Sequence, residues 1–180
     1  MKVIFATMLA GVLFFACVDK PSAVISDTPT PDTVMTPPPV EFADAKYIEI
    51  GKQGLANLSS GNIPGWMSDF SDNAVYVWNN GDSLVGKAAI SEYWTQRRTE
   101  TIQSLTFSNE VWLPIKVNQP QSVEQTGTWL LSWFKTDATY KTGKSMTQWI
   151  HTDFHFDSND KIDRVIQYLD RASIAAALAE

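Results

Sequence analysis

From residue 44 onward the apolar positions recur first at helical and later at strand spacing, and that switch sets the fold class. Residues 44–58 predict a helix: Asp44 is a candidate N-cap, and Tyr47, Ile48, Ile50, Leu55 and Leu58 supply its apolar side. Ser59, Ser60 and Gly61 end it, and a short second helix over 63–70 carries Trp66, Met67 and Phe70 inward. Residues 74–78 read as a strand, followed by Asn79-Asn80-Gly81-Asp82, a turn whose residues tolerate positive φ. Gly86 breaks the chain before a helix over 87–98, on which Ala89, Ile90, Tyr93 and Trp94 share a face. Beyond Ile102 the period falls to two. Strands are expected over 102–117, 123–136, 145–157 and 161–170, with a loop near 139–144 and a polar turn at 157–160. A helix over 171–180 closes the chain, with Asp170 placed to cap it. Helices first and an antiparallel meander afterwards predict an α+β domain, its helices covering one face of a curved sheet.

The stretch ahead of residue 44 has a different pattern. Lys2 precedes an apolar run from Val3 to Ala16, which is too short to cross a bilayer of about 30 Å and suits a secretory leader. Leu13, Phe14, Phe15 and Ala16 stand directly before Cys17, the only cysteine, and resemble a bacterial lipoprotein cleavage box. The alternative is an ordinary signal peptide cut nearby, with Cys17 left as a spare thiol. The expectation is a signal peptide over 1–16, a lipidated Pro/Thr-rich tether over 17–43 and one domain over 44–180. This implies an exported protein of the bacterial cell envelope, held to a membrane through acylated Cys17; each buried methylene contributes about 0.8 kcal/mol. With Lys2 removed from the 14 Lys and Arg, 13 remain against 20 Asp and Glu, a formal charge of −7. An acidic surface without a basic cluster argues against nucleic-acid binding.

Within the domain, Thr142-Gly143-Lys144, Phe154-His155-Phe156-Asp157 and Lys161-Ile162 leading to Tyr168 and Asp170 follow in order. Together with the glycine-led helix from Gly86 to Trp94, they resemble the SnoaL-like, NTF2-like family. That resemblance implies a cone: a curved, mostly antiparallel sheet wrapped around N-terminal helices, used as an enzyme pocket or small-molecule site and commonly dimeric. Set on the ketosteroid isomerase branch, it puts Thr152 at the hydrogen-bonding acid, Trp78 at the catalytic base and Gly54 at the oxyanion tyrosine. Proton transfer beside a carbonyl needs a base and an oxyanion donor, and these three positions supply neither.

His151, Asp153 and His155 fall at i, i+2 and i+4 of one strand and project to one side. A shared zinc is disfavoured, because the outer two alpha carbons lie roughly 13 Å apart on a regular strand. His151 and Asp153 remain a candidate acid–base pair. The even row, Met146, Gln148, Ile150, Thr152, Phe154 and Phe156, is the more apolar and is expected on the concave side, leaving the histidines convex. A bulge would invert this. The expected ligand site is aromatic and neutral: Tyr76 and Trp78, Tyr93 and Trp94, Gln148, Thr152 and Phe154, with Gln167 from the next strand. Open, it would suit a flat, uncharged small molecule; plugged by its own rings, it would leave a dimeric interaction module. A third reading is a cofactor-free isomerase, cyclase, dehydratase or hydrolase using His151 and Asp153. No cofactor or metal fingerprint is present.

Overall fold

The computed structural model describes residues 36–120 and 126–179. The expected signal peptide and the lipidation site at Cys17 lie outside the described residues. Residues 36–180 form one compact unit.

Strand β1 (Val40–Phe42) opens it, inside the stretch expected as tether. Next come helices α1 (Lys46–Ser60) and α2 (Ile63–Met67), strands β2 (Phe70–Trp78) and β3 (Ser83–Val85), and helix α3 (Lys87–Gln96). After a π-helical turn at Arg97–Thr101 run the long strands β4 (Ile102–Val117), β5 (Gly127–Tyr140), β6 (Ser145–Phe156) and β7 (Ile162–Tyr168). Helix α4 (Arg171–Leu178) closes the chain. The seven strands form one sheet in the order β1-β4-β5-β6-β7-β2-β3. All neighbours are antiparallel except β2 and β7, so the expected α+β cone with a mostly antiparallel sheet is the fold observed.

Two short strands escaped the sequence pattern, β1 and β3, each of three residues and too brief to show a period. Strand β5 runs on to Tyr140, through the start of the expected loop, because every second residue from Leu130 to Tyr140 is buried. Asp44 does not occupy the N-cap of α1, which is Ala45, yet its carboxylate still accepts from the Lys46 amide at 2.8 Å. Asp170 caps α4 as expected, accepting from the Ala172 amide at 2.8 Å. No described helix is long and apolar enough to cross a membrane.

Helix α1 lies across the concave face of the sheet at very close range. A Cβ on Gly51 would stand 2.6 Å from the Trp112 ring and 2.7 Å from Leu130, so the absence of a side chain there permits the approach. Its Tyr47 and Leu58 join Trp66, Phe70, Leu130, Phe154, Phe156 and Val165 in the main core. The far end of the sheet is packed differently. There Ile102, Leu105, Ala138, Tyr140 and Met146 cluster with Ala177 of α4.

Candidate functional site

The concave side of the sheet is not filled by its own side chains. Between α1 to α3, the inner face of β4 to β7 and the lid formed by α4, a cavity of about 420 Å³ remains. The cup is open, the first of the two alternatives that the sequence leaves.

One wall is a sheet of rings. Strand β2 points alternate residues inward and α3 presents neighbouring ones, so Tyr76, Trp78, Tyr93 and Trp94 meet. Tyr76 lies 4.9 Å from Trp78, Trp78 lies 5.2 Å from Tyr93, and Tyr93 meets Trp94 edge-on at 5.6 Å. Trp66 buttresses Trp94 edge-on at 5.5 Å. Such tilted and edge-on pairs add about 0.5–1.5 kcal/mol each beyond the area they bury. That stiffness keeps the wall standing around a void.

The floor comes from β6 and β7, whose alternation runs as expected: Met146, Ile150, Thr152 and Phe154 all line the cavity. Thr152 and Gln167, the polar residues on this face, answer each other. Trp78 Nε1 donates to Gln167 Oε1 at 3.2 Å, and Gln167 Nε2 donates to Thr152 Oγ1 at 3.3 Å. This chain satisfies the buried amide and fixes the Trp78 indole in place.

Gln148 does not reach the lumen. Its side-chain oxygen accepts from the Asp170 amide at 2.8 Å and its nitrogen donates to the Asp170 carbonyl at 3.3 Å. It therefore pins the entry to α4. Gln148 keeps the even-row parity but sits near the rim, where the chain turning into α4 covers it. Gly54 is closed off as well: a Cβ there would stand 3.2 Å from Trp66.

The strand pattern missed the other half of the wall. Ile102, Leu105 and Phe107 of β4 face it, as do Phe134, Thr136, Ala138 and Tyr140 of β5. More consequential are two guanidiniums, since the site was expected to be neutral. Arg97 and Arg171 both line the cavity. Arg171 pairs with Asp82 at 2.8 Å and covers the Trp78 ring at 5.4 Å. Arg97 lies over the Tyr93 ring at 5.6 Å and contacts the Tyr140 hydroxyl. A signal for it existed, because Arg97 follows Tyr93 by four and Trp94 by three, continuing the apolar face of α3.

Acid–base chemistry finds little purchase inside. Among the described residues, none of those that line it is Asp, Glu, His, Lys or Cys. Burial pushes the Tyr76 hydroxyl well above the usual tyrosine range, and it raises Tyr140 despite the opposing charge of Arg97. Both phenols are neutral donors, not bases.

His151 and Asp153 stand on the outer face of the sheet, away from the cavity. His151 Nδ1 lies 2.9 Å from the Ser132 carbonyl, so this nitrogen carries the proton. Nε2 approaches Asp153 Oδ1 at 3.0 Å, but off the axis of a hydrogen bond. Burial raises the Asp153 carboxyl above its ordinary value, and His151 partly opposes this. The imidazole is sandwiched between Trp133 at 4.5 Å and Tyr168 at 5.5 Å. His155 instead pairs with Asp163 at 2.5 Å and packs on Trp129. Among the described residues no group of three or more His, Cys, Asp or Glu side chains is placed to hold a metal.

No protein-family model matches the chain, and no curated protein matches it in sequence. Solved structures do match in shape. A candidate polyketide cyclase of Xanthomonas campestris pv. campestris superposes with a TM-score of 0.59 at 13% identity, over 73% of this chain and 96% of its own. An epoxide hydrolase of the LEH-like kind from M. tuberculosis gives 0.54 at 13% identity, over 74% and 90%. TerC, crystallised with polyporic acid, gives 0.54 at 16% identity, over 73% and 96%. At such identities the likeness speaks for the fold alone. The chain has the NTF2-like, SnoaL-like fold.

Proposed function

We propose that this chain is a cell-envelope lipoprotein, anchored through Cys17, whose cone binds one small, largely apolar or aromatic molecule. The observation that carries the binding half is the open cavity of about 420 Å³ with stiff ring walls. That size lies in the range of small-molecule sites, and its polar groups are few and fixed. A cavity left empty in a core would be costly, at about 24 cal/mol per Å³ in a series of large-to-small core substitutions. Occupation by a ligand offsets that cost. The relatives in shape include TerC, which was crystallised with polyporic acid.

Catalysis through His151 and Asp153 is disfavoured, since a substrate in the cone would lie on the other side of the sheet. Binding without acid–base chemistry by the wall is the reading adopted. The test is titration of the purified chain with N-phenylnaphthylamine, a neutral aryl probe that fluoresces when taken out of water. Saturable one-site binding supports the reading; no binding at probe solubility contradicts it. Membrane attachment is tested separately by Cys17→Ser, which should release the protein into the soluble fraction. Fractionation with membranes regardless would remove Cys17 as the anchor.

A specific observation favours self-association as well. Trp149 and Tyr168 are 56% and 45% exposed on the outer face, beside the Trp133–His151 stack. Covering such rings against a second copy would remove apolar area from water. Trp149→Glu should then turn a dimer into a monomer in light scattering, and a monomeric unaltered chain would refute it.

A further inference from the structure

Arg97 is the feature of the cavity that an apolar ligand leaves unexplained. It is half-buried at the start of the π-helical turn that follows α3, and its guanidinium belongs to a wall otherwise made of rings and aliphatic groups. Such turns inside or at the end of helices are frequent at functional sites. Its neighbour Arg98 goes the other way, donating to the Ser59 carbonyl at 2.9 Å, so the turn splits two adjacent cations between structure and lumen. Arg171, the second guanidinium of the lining, is answered by Asp82. Among the described residues no carboxylate pairs with Arg97, and no acidic residue lines the cavity.

Other polar groups line the same cavity. Tyr140 meets the guanidinium through its hydroxyl, and being kept neutral it has a proton to donate. Thr136 lies four residues before it on the same face of β5, roughly 13 Å along the strand, and also lines the cavity; it is only 3% exposed and its hydroxyl has no partner, nor has the indole nitrogen of Trp94. An orphaned buried donor costs about 1–3 kcal/mol, which a ligand oxygen within reach would recover. A planar cation with five donors, seated on the Tyr93 ring and met by the Tyr140 hydroxyl, suits an oxyanion. The rest of the chain is acidic overall. A local positive site in such a chain selects the charge of what enters.

We infer that the ligand of the cone is an amphipathic anion: an aromatic or polycyclic body held by the rings, with a carboxylate, enolate or sulfonate-like group on Arg97. This rests on the proposed binding function and narrows it to a ligand class. It departs from the flat, uncharged molecule that the sequence pattern suggested.

Two probes of one scaffold separate the inference from the reading beneath it. Anilinonaphthalenesulfonate carries a permanent anion, and N-phenylnaphthylamine is the same aryl amine without it. Both are titrated into the purified full chain and into Arg97→Met, which keeps length and apolar packing but removes the charge. The expected result is a loss of anion affinity of about tenfold or more on Arg97→Met, as for a lost charge-assisted hydrogen bond, with the neutral probe unchanged within about twofold. Arg97→Lys should retain part of the anion preference. Raised salt should weaken the anionic probe far more than the neutral one. If both probes bind and Arg97→Met affects neither, the anion inference is overturned while the pocket stands. If both lose affinity equally, Arg97 is structural and the inference also fails. If neither binds the unaltered chain, both the inference and the binding function fall.

Discussion

Ala138 offers a direct way to ask whether the cone holds space. It sits on β5 opposite Met146 of β6 and Leu105 of β4, is 3% exposed, and lines the cavity. Ala138→Leu adds three carbon atoms at that point. Buried from water, they contribute about 0.8 kcal/mol each, roughly 2.4 kcal/mol in all. Fixing a leucine side chain takes back about 0.5–1 kcal/mol. A void of about 420 Å³ accepts three carbons without displacing neighbours. The expected result is a gain of about 1–2 kcal/mol in urea denaturation, or roughly 3–8 °C in Tm. The same substitution should weaken binding of N-phenylnaphthylamine, since it removes volume the probe would use. In a packed core it would instead cost about 1–3 kcal/mol through strain. Destabilisation of that size, with probe binding unchanged, would refute the reasoning.

Other consequences are open to measurement. Thr152→Trp should abolish probe binding while circular dichroism keeps the native spectrum, because Thr152 forms part of the lumen floor; unchanged affinity would remove that floor from the site. Leu130→Ala, at a fully buried position against α1, should cost about 2–5 kcal/mol in urea denaturation; a loss below 1 kcal/mol would mean α1 does not pack as described. Asp153 carries a carboxyl raised mainly by burial, so the native state holds its proton more tightly than the unfolded chain does. The stability this gives is present below the ordinary aspartate value of about 3.9 and is lost as pH rises through the raised one. Asp153→Asn should therefore stabilise the fold near neutral pH, with the gain vanishing below about pH 4. A loss of stability near neutral pH would show the ionised pair with His151 to be favourable.

Much of this architecture was legible in the chain, for reasons that differ from element to element. The long strands announced themselves through strict alternation, above all β6, where one row is apolar and the other carries His151, Asp153 and His155. With no bulge between His151 and His155 to invert the parity, the alternation also put the histidines outside. Seven of the eight residues expected to surround a ligand line the cavity, because they lie on the strand faces and the helix face that periodicity defines. Gln148 shares that periodicity and fails for a tertiary reason: the chain entering α4 folds over it. No local pattern records what a distant segment covers. Arg97 was hidden by a general rule, that a cation at a helix end complements the dipole. Its spacing of four from Tyr93 and three from Trp94, continuing the apolar face of α3, was the better signal. The void itself was invisible, since a ring that plugs a cup and a ring that walls one occupy the same positions in sequence.

The central claim is that the cone is an open, ring-walled site for one small molecule. A crystal structure of the chain grown with N-phenylnaphthylamine tests it most directly. The account predicts the probe inside the cone, against Trp78, Tyr93 and Phe134 and beneath α4. Rings collapsed into the lumen, with the probe absent or seated on the outer face beside Trp149, would contradict it.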